Sequence, residues 1–187
     1  MMTTQQKPDF DAIVIGAGFA GLAAIHHLRE AGLSVKVFDR AADIGGTWTW
    51  NRYPGAMTDS ESYYYCLTFS KELLQEWSWT ARYPAWKETH DYMRFVADKC
   101  DMWPHIQLNT EIVSADYQKD SGHWLVTTGD GDTYTCKYFI SGMGMISEPV
   151  IPKISGMDKF KGPLFHSSRW PQEGLDYAGK RVGIIGA

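Results

Sequence analysis

Apolar residues recur along the chain in two rhythms, one unbroken and one spaced by three to four residues. The change between them marks the elements. Asp11-Ala-Ile-Val-Ile15 is a short apolar run with β-branched residues and predicts a buried strand. Gly16-Ala-Gly-Phe-Ala-Gly21 follows at once, and Leu22, Ile25 and Leu28 then fall at helical spacing over residues 22–31. Gly32 is a stop signal for that helix. Ser34-Val-Lys-Val-Phe38 predicts a second strand, so the chain opens on a strand, glycine turn, helix, strand unit with its strands parallel. Residues 40–65 read mostly as loop, and a loop of that length inside a compact domain points to function or disorder; its Trp and Tyr content argues against disorder.

Residues 89–101 carry Tyr92, Phe95, Val96 and Cys100 on one helical face. Strands are predicted over 106–108, 111–118, 123–128 and 133–140, with a turn at Gly129-Asp-Gly131. Residues 141–157 hold Gly142, Gly144, Pro149, Pro152 and Gly156 and read as a connecting segment. Val182-Gly-Ile-Ile-Gly-Ala187 then repeats the pattern of Ala12-Ile-Val-Ile-Gly-Ala17. The repeat predicts a second strand entering a second glycine turn, and with it a chain that is a piece of a longer, two-unit protein.

Composition narrows the classes. The 187 residues carry 18 Lys plus Arg against 22 Asp plus Glu, a net charge of −4, which argues against a dedicated nucleic-acid binder. With 44% hydrophobic and 21% charged residues the chain is expected to be globular. No apolar run reaches the roughly 18 residues of a membrane span, and the first ten residues lack the apolar stretch of a secretory signal. Cys66, Cys100 and Cys136 are odd in number, widely spaced and without zinc-type spacing, which fits a reduced, cytoplasmic protein. Aromatics make up 14% of the chain, suiting either a rich core or packing against a large planar ligand.

Gly16-x-Gly18-x-x-Gly21 is a weak signal alone, but a strand before it, a helix after it and Asp39 at the end of the next strand make it a dinucleotide fingerprint. The first glycine permits the tight turn, the second lets backbone approach a pyrophosphate, and the third lets helix and strand pack closely. The helix N-terminus offers unpaired N–H groups to the phosphates. A carboxylate at Asp39 can accept from ribose hydroxyls and would repel a 2′-phosphate, which favours FAD or NAD here over NADP. The competing reading is a glycine-rich turn with a surface Asp.

Gly45-Gly46-Thr47-Trp48 follows the acid, an arrangement that resembles flavoproteins with two dinucleotide-binding units. No cysteine pair stands near it, so dithiol chemistry is not expected. Phe160-Lys-Gly162-Pro-Leu-Phe-His166-Ser-Ser-Arg-Trp170-Pro171 matches F-x-G-x-x-x-H-x-x-x-W-P, the fingerprint of Baeyer–Villiger monooxygenases. Asn51-Arg-Tyr-Pro-Gly-Ala56 with Asp59 also resembles that family's loop beside the flavin, and the resemblance covers residues 11–187.

The resemblance implies an α/β fold: a Rossmann-like FAD-binding domain over 1–156, a parallel sheet with helices and a β-hairpin insertion. Residues 157–187 would be a linker with the family fingerprint and the first strand of an NADP-binding domain. It implies an enzyme using FAD, NADPH and dioxygen to insert one oxygen beside the carbonyl of a small ketone. Phe19, Gly46, Thr47, Trp48, Met57, Thr58, Tyr65 and Ile112 match cofactor-contacting positions beside the three glycines and Asp39. Asp59 matches the Asp that pairs with an Arg holding the nicotinamide, an Arg expected beyond residue 187. A helix cap near Ser60 is the alternative reading of Asp59. Gly142-Met143-Gly144 falls where the family has a second nucleotide motif, although Met143 departs from it. His166 is expected to act structurally or conformationally. Trp50, Trp77, Trp79, Trp86, Trp103 and Trp124 are read as core, and the other histidines as surface or satisfied core. Two alternatives stand beside this reading: a sibling flavin monooxygenase oxygenating nitrogen or sulfur, and a non-catalytic flavin-binding piece. Neither the ketone nor the oligomeric state is legible.

Overall fold

Six strands make one sheet in the computed structural model, which describes residues 7–186. They are β1 (Phe10–Ile15), β2 (Val35–Phe38), β3 (Ile106–Gln107), β4 (Ile112–Gln118), β5 (His123–Thr128) and β6 (Thr133–Ser141), and their order is β3-β2-β1-β6-β5-β4. β3, β2, β1 and β6 are parallel neighbours, while β6, β5 and β4 run antiparallel as a meander. The expected hairpin therefore joins the sheet through β6.

β1 reads as unbroken apolar because both its faces are covered. Val14 packs with Leu22 and Ile25 of helix α1 (Phe19–Glu30) and with Met93 and Val96 of helix α4 (Trp86–Lys99). Ile13 faces the other way, onto Phe38, Val126 and Cys136. Burial pushes the Cys136 thiol up to about 11, and all three cysteines are free. Gly32, at φ +73°, ends α1 as read, its N–H bonded to the Arg29 carbonyl.

Three findings depart from the sequence reading. The 40–65 stretch contains a one-turn helix, α2 (Thr47–Trp50), and a 3-10 turn at Ser62–Tyr65. Helix α3 (Lys71–Glu76) was not anticipated; Ser70 accepts from the Leu73 N–H at 3.4 Å and Leu73 alone is buried. Residues 182–186, expected as a strand, form no ladder, and Val182, Ile184 and Ile185 lie exposed. Apolar residues become a strand only beside a strand that can share their hydrogen bonds, and none lies beside them among the described residues. Ala187, the last residue of that expected turn, lies outside the described residues. No helix among those described is long and apolar enough to cross a membrane.

Candidate functional site

The chain leaves β1 through α1 toward β2 on one side, whereas β6 lies on the other. Above β1, at the carboxyl ends of the parallel strands, this divergence leaves a cleft of about 810 Å³. Such a switch point is where open α/β sheets bind ligands. Ile15, Asp39 and Ser141, at or just past the ends of β1, β2 and β6, all line it.

The three glycines have separate reasons. Gly16 adopts φ +100°, and a Cβ there would overlap the carbonyl of Gly142. A Cβ on Gly21 would overlap the carbonyl of Gly16, so this glycine serves the packing of helix on turn. Gly18 is different: a Cβ there would meet no protein atom closer than the Gly46 Cα at 3.5 Å, an ordinary contact. Its bareness keeps room on the cleft side, as close approach by a ligand requires. Gly18 is also the N-cap of α1, with no side-chain cap and no acid in the first turn. The positive end of a twelve-residue helix thus meets the cleft uncontested.

Asp39 is 8% exposed and lines the cleft. One carboxylate oxygen accepts from the Ala17 N–H at 2.7 Å and the other from the Ala41 N–H at 2.8 Å. Asp39 therefore ties the glycine turn to the end of β2, a task the sequence reading did not assign. Each oxygen retains a lone pair for a further donor.

Gly46, Thr47, Trp48 and Ile112 line the cleft. Trp48 is buried and meets Tyr65 edge-on at 5.7 Å, and Tyr65 meets Phe19 at 5.6 Å; Trp48 and Phe19 form an aromatic wall of the cleft, whereas Tyr65 packs against both without lining it. Burial, and after it the charge of Asp59, pushes the Tyr65 phenol above its ordinary range. Asp59 itself is exposed and does not line the cleft. Its position is set by neighbours: Met57 bridges Ala85, and buried Thr58 bonds the Pro84 carbonyl through its N–H. The cap reading of Asp59 fails, because the nearby 3-10 turn begins at Ser62 behind Glu61 and carries no side-chain cap. No salt bridge engages Asp59 among the described residues.

Trp50 corrects the core reading: it lines the cleft, with the Arg169 guanidinium 4.6 Å and the Arg40 guanidinium 5.7 Å from its ring centre. Arg40 also pairs with Glu148 and donates to the Ser147 carbonyl at 2.8 Å. Residues 145–148, Thr110 and Glu111 complete the lining and were missed, since none belongs to a local motif. The fingerprint segment reaches the cleft at one place. Ser168 is buried and Arg169 lies over Trp50, while Phe160 is exposed with its ring folded over Gly162. The His166 Nδ1 accepts from the Ser168 N–H at 3.2 Å, capping the turn Ser167–Arg169, and Trp170 meets Phe165 at 6.1 Å. The Pro171 carbonyl accepts from the Gly174 N–H at 3.0 Å. Trp77, Trp79, Trp86, Trp103 and Trp124 pack against the core, as read.

Comparison with known proteins places this geometry. The chain is 50% identical over 179 residues to a Baeyer-Villiger monooxygenase of Pseudooceanicola batsensis, covering 95% of this chain and 33% of that protein. It is 48% identical over 182 residues to a cyclohexanone 1,2-monooxygenase of Acinetobacter sp., covering 97% and 33%. A phenazine N-monooxygenase of Lysobacter antibioticus is 45% identical over 186 residues, covering 99% and 34%. Among solved structures, cyclohexanone monooxygenase from Rhodococcus sp. Phi1 bound to NADP+ superposes with a TM-score of 0.90 at 44% identity, covering 95% and 33%. OTEMO in complex with FAD and NADP gives 0.90 at 40%, covering 97% and 35%. The chain thus spans about a third of the length of the relatives it matches. The family model for flavin-binding monooxygenase-like proteins matches residues 11–187. With the match running from β1 through the cleft to the fingerprint segment, the chain belongs to the flavin-binding monooxygenase-like family.

Proposed function

We propose that this chain is the FAD-binding part of a Baeyer–Villiger monooxygenase, which uses NADPH and dioxygen to convert a small ketone to an ester or lactone. The observation that carries the reading is the cleft above β1, whose glycine turn, acidic residue and aromatic wall suit a flavin dinucleotide. The fit is physical: Gly18 has room on its cleft side, α1 presents an uncapped N-terminus, and Trp48 and Phe19 supply flat apolar faces. In this assignment Gly16, Gly18 and Phe19 receive the pyrophosphate, Asp39 the ribose, Ile112 the adenine side, and Gly46, Thr47, Trp48 and Tyr65 the ring system. When bound, FAD supplies the electron transfer from NADPH and the activation of dioxygen that no side chain can supply.

The chain's own residues orient and enclose. Trp48 excludes water from its side of the cleft. Asp59, beside Tyr65, holds a fixed negative charge next to the aromatic wall and would position an incoming cation. Met57 and Thr58 set its height on the Ala85 bridge. We assign residues 1–156 to the flavin unit and 157–187 to a linker and the entry to a nicotinamide unit, and place the protein in the cytoplasm. A second reading, oxygenation of nitrogen, rests on the phenazine N-monooxygenase relative alone and is the less favoured of the two.

The test uses the full-length protein with NADPH, a cyclic or short-chain ketone and heavy-oxygen-labelled dioxygen. The expected product is an ester or lactone carrying one labelled oxygen. Hydrogen peroxide alone with every ketone, alongside an N-oxide from an aromatic amine, would replace this reading with the second.

A further inference from the structure

At the far end of α1 from the cleft, three potential ligand atoms converge. The His26 Nε2 lies 3.2 Å and the His27 Nδ1 3.3 Å from one oxygen of Glu30, and all three atoms fall within 4.8 Å of one another. We propose that His26, His27 and Glu30 form a binding site for one Zn2+ ion, separate from the flavin cleft.

Four observations carry the assignment. First, spacing: zinc bonds of about 2.0–2.2 Å at tetrahedral angles place neighbouring ligand atoms roughly 3.3–3.5 Å apart. Two of the three edges here already match. Second, ligand type: two imidazoles and a carboxylate suit a borderline-soft divalent ion better than Mg2+ or Ca2+, which take all-oxygen sets. Third, the ring that must hold still does so. His26 stacks on Phe69 with centroids 3.9 Å apart and planes 13° apart, so little freedom is lost when its Nε2 binds. Fourth, the field is favourable. Glu30 is the last residue of α1, so its carboxylate sits at the negative end of the helix, where a cation is stabilised. The cation next door is directed elsewhere: the Arg29 Nη1 donates to the Cys100 and Asp101 carbonyls at 2.8 and 3.1 Å. His27 and Glu30 are each 63% exposed, so the ion can enter and keep a position open to solvent. The site lies about 18 Å along the helix from the glycine turn, taking a rise of about 1.5 Å for each residue.

A proton shared between imidazole and carboxylate would hold the same atoms together, and zinc titration separates the two. The full chain, stripped of metal, is titrated with ZnCl2 by calorimetry. The expected result is one ion bound and a melting temperature raised by zinc. Affinity should fall tenfold or more in His27→Gln and in Glu30→Gln, both exposed positions that leave the core intact. Phe69→Ala should weaken binding roughly tenfold, as loss of a ligand's supporting partner does. His123→Gln should leave binding unchanged. Equal zinc affinity in wild type and both ligand variants would overturn the proposal. So would the absence of binding up to about 1 mM zinc, or equal binding of MgCl2.

Discussion

Gly16, Gly18 and Gly21 share one motif yet should answer a methyl group differently. Gly18→Ala should keep the fold and lose at least tenfold in FAD affinity, because its Cβ meets only cleft space and the Gly46 Cα at 3.5 Å. Gly21→Ala should instead cost several kcal/mol of stability, since its Cβ overlaps backbone that cannot yield. Urea melts and flavin absorbance, taken together, separate the two. Asp39→Ala should show both effects. Two buried N–H donors lose their acceptor, which costs about 1–3 kcal/mol each, and FAD should bind about tenfold or more weakly. Unchanged stability without flavin would mean that the Ala17 and Ala41 N–H groups find other acceptors. Asp59→Ala, at an exposed position that caps nothing, should move the melting temperature by less than about 2 °C. The flavin of the full protein should then be reduced by NADPH more slowly, and a normal reduction rate in stopped flow would remove Asp59 from the site. The glycines and Asp39 could be singled out from sequence because their spacing within one strand, turn, helix, strand unit marks them, although the Gly142 and Ala17 contacts that explain Gly16 and Asp39 could not. Arg40, Trp50, Glu148 and Arg169 could not, because their meeting joins three distant stretches and nothing local marks it.

Helix α4 carries its own chemistry beneath the cleft. His90 is 7% exposed, its Cδ2 close under Gly45, and its Nε2 lies 3.2 Å from Asp43 without hydrogen-bond alignment. Burial lowers its pKa, against the raising effect of Asp43. A lowered value in the folded state means that the unfolded chain takes up the proton first. The stability from neutral His90 is therefore complete above the ordinary value of about 6.5 and is lost as pH falls through the lowered folded value. Urea midpoints should drop from pH 7.5 to 5.5, and His90→Gln should flatten that drop; an equal drop in the variant would place the proton uptake elsewhere. The elements themselves were legible to different degrees, for physical reasons. β1 announces itself by its unbroken apolar run ahead of the glycine turn and α4 by apolar residues on one helical face. α3 has a single buried side chain, Leu73, and so leaves almost no pattern. Residues 182–186 show the opposite error: an apolar pattern states what a segment would bury, not whether a partner strand is there to bond it.

Across the whole molecule, apolar exposure concentrates late in the chain. Met145, Val150, Ile151 and Ile184 are all more than 60% exposed, and exposed apolar side chains in such number invite binding of apolar ligands. The 187-residue chain alone should therefore bind a hydrophobic dye, and Val150→Lys with Ile151→Lys should reduce the signal without lowering the melting temperature. Undiminished dye binding would put the dye on other residues. The sheet order has a consequence in time as well as in space. β1 pairs with β6 from Phe10↔Cys136 to Ile15↔Ser141, and Asp9 reaches Thr135 through its carboxylate at 2.7 Å. A ribosome adding about 5–20 residues each second needs roughly 6–25 s to travel from β1 to β6. Throughout that interval the glycine turn lacks the Gly142 backbone against which Gly16 is held. The glycine turn is thus made long before it can acquire its shape, and a nascent chain lacks one side of the cleft until its sixth strand emerges.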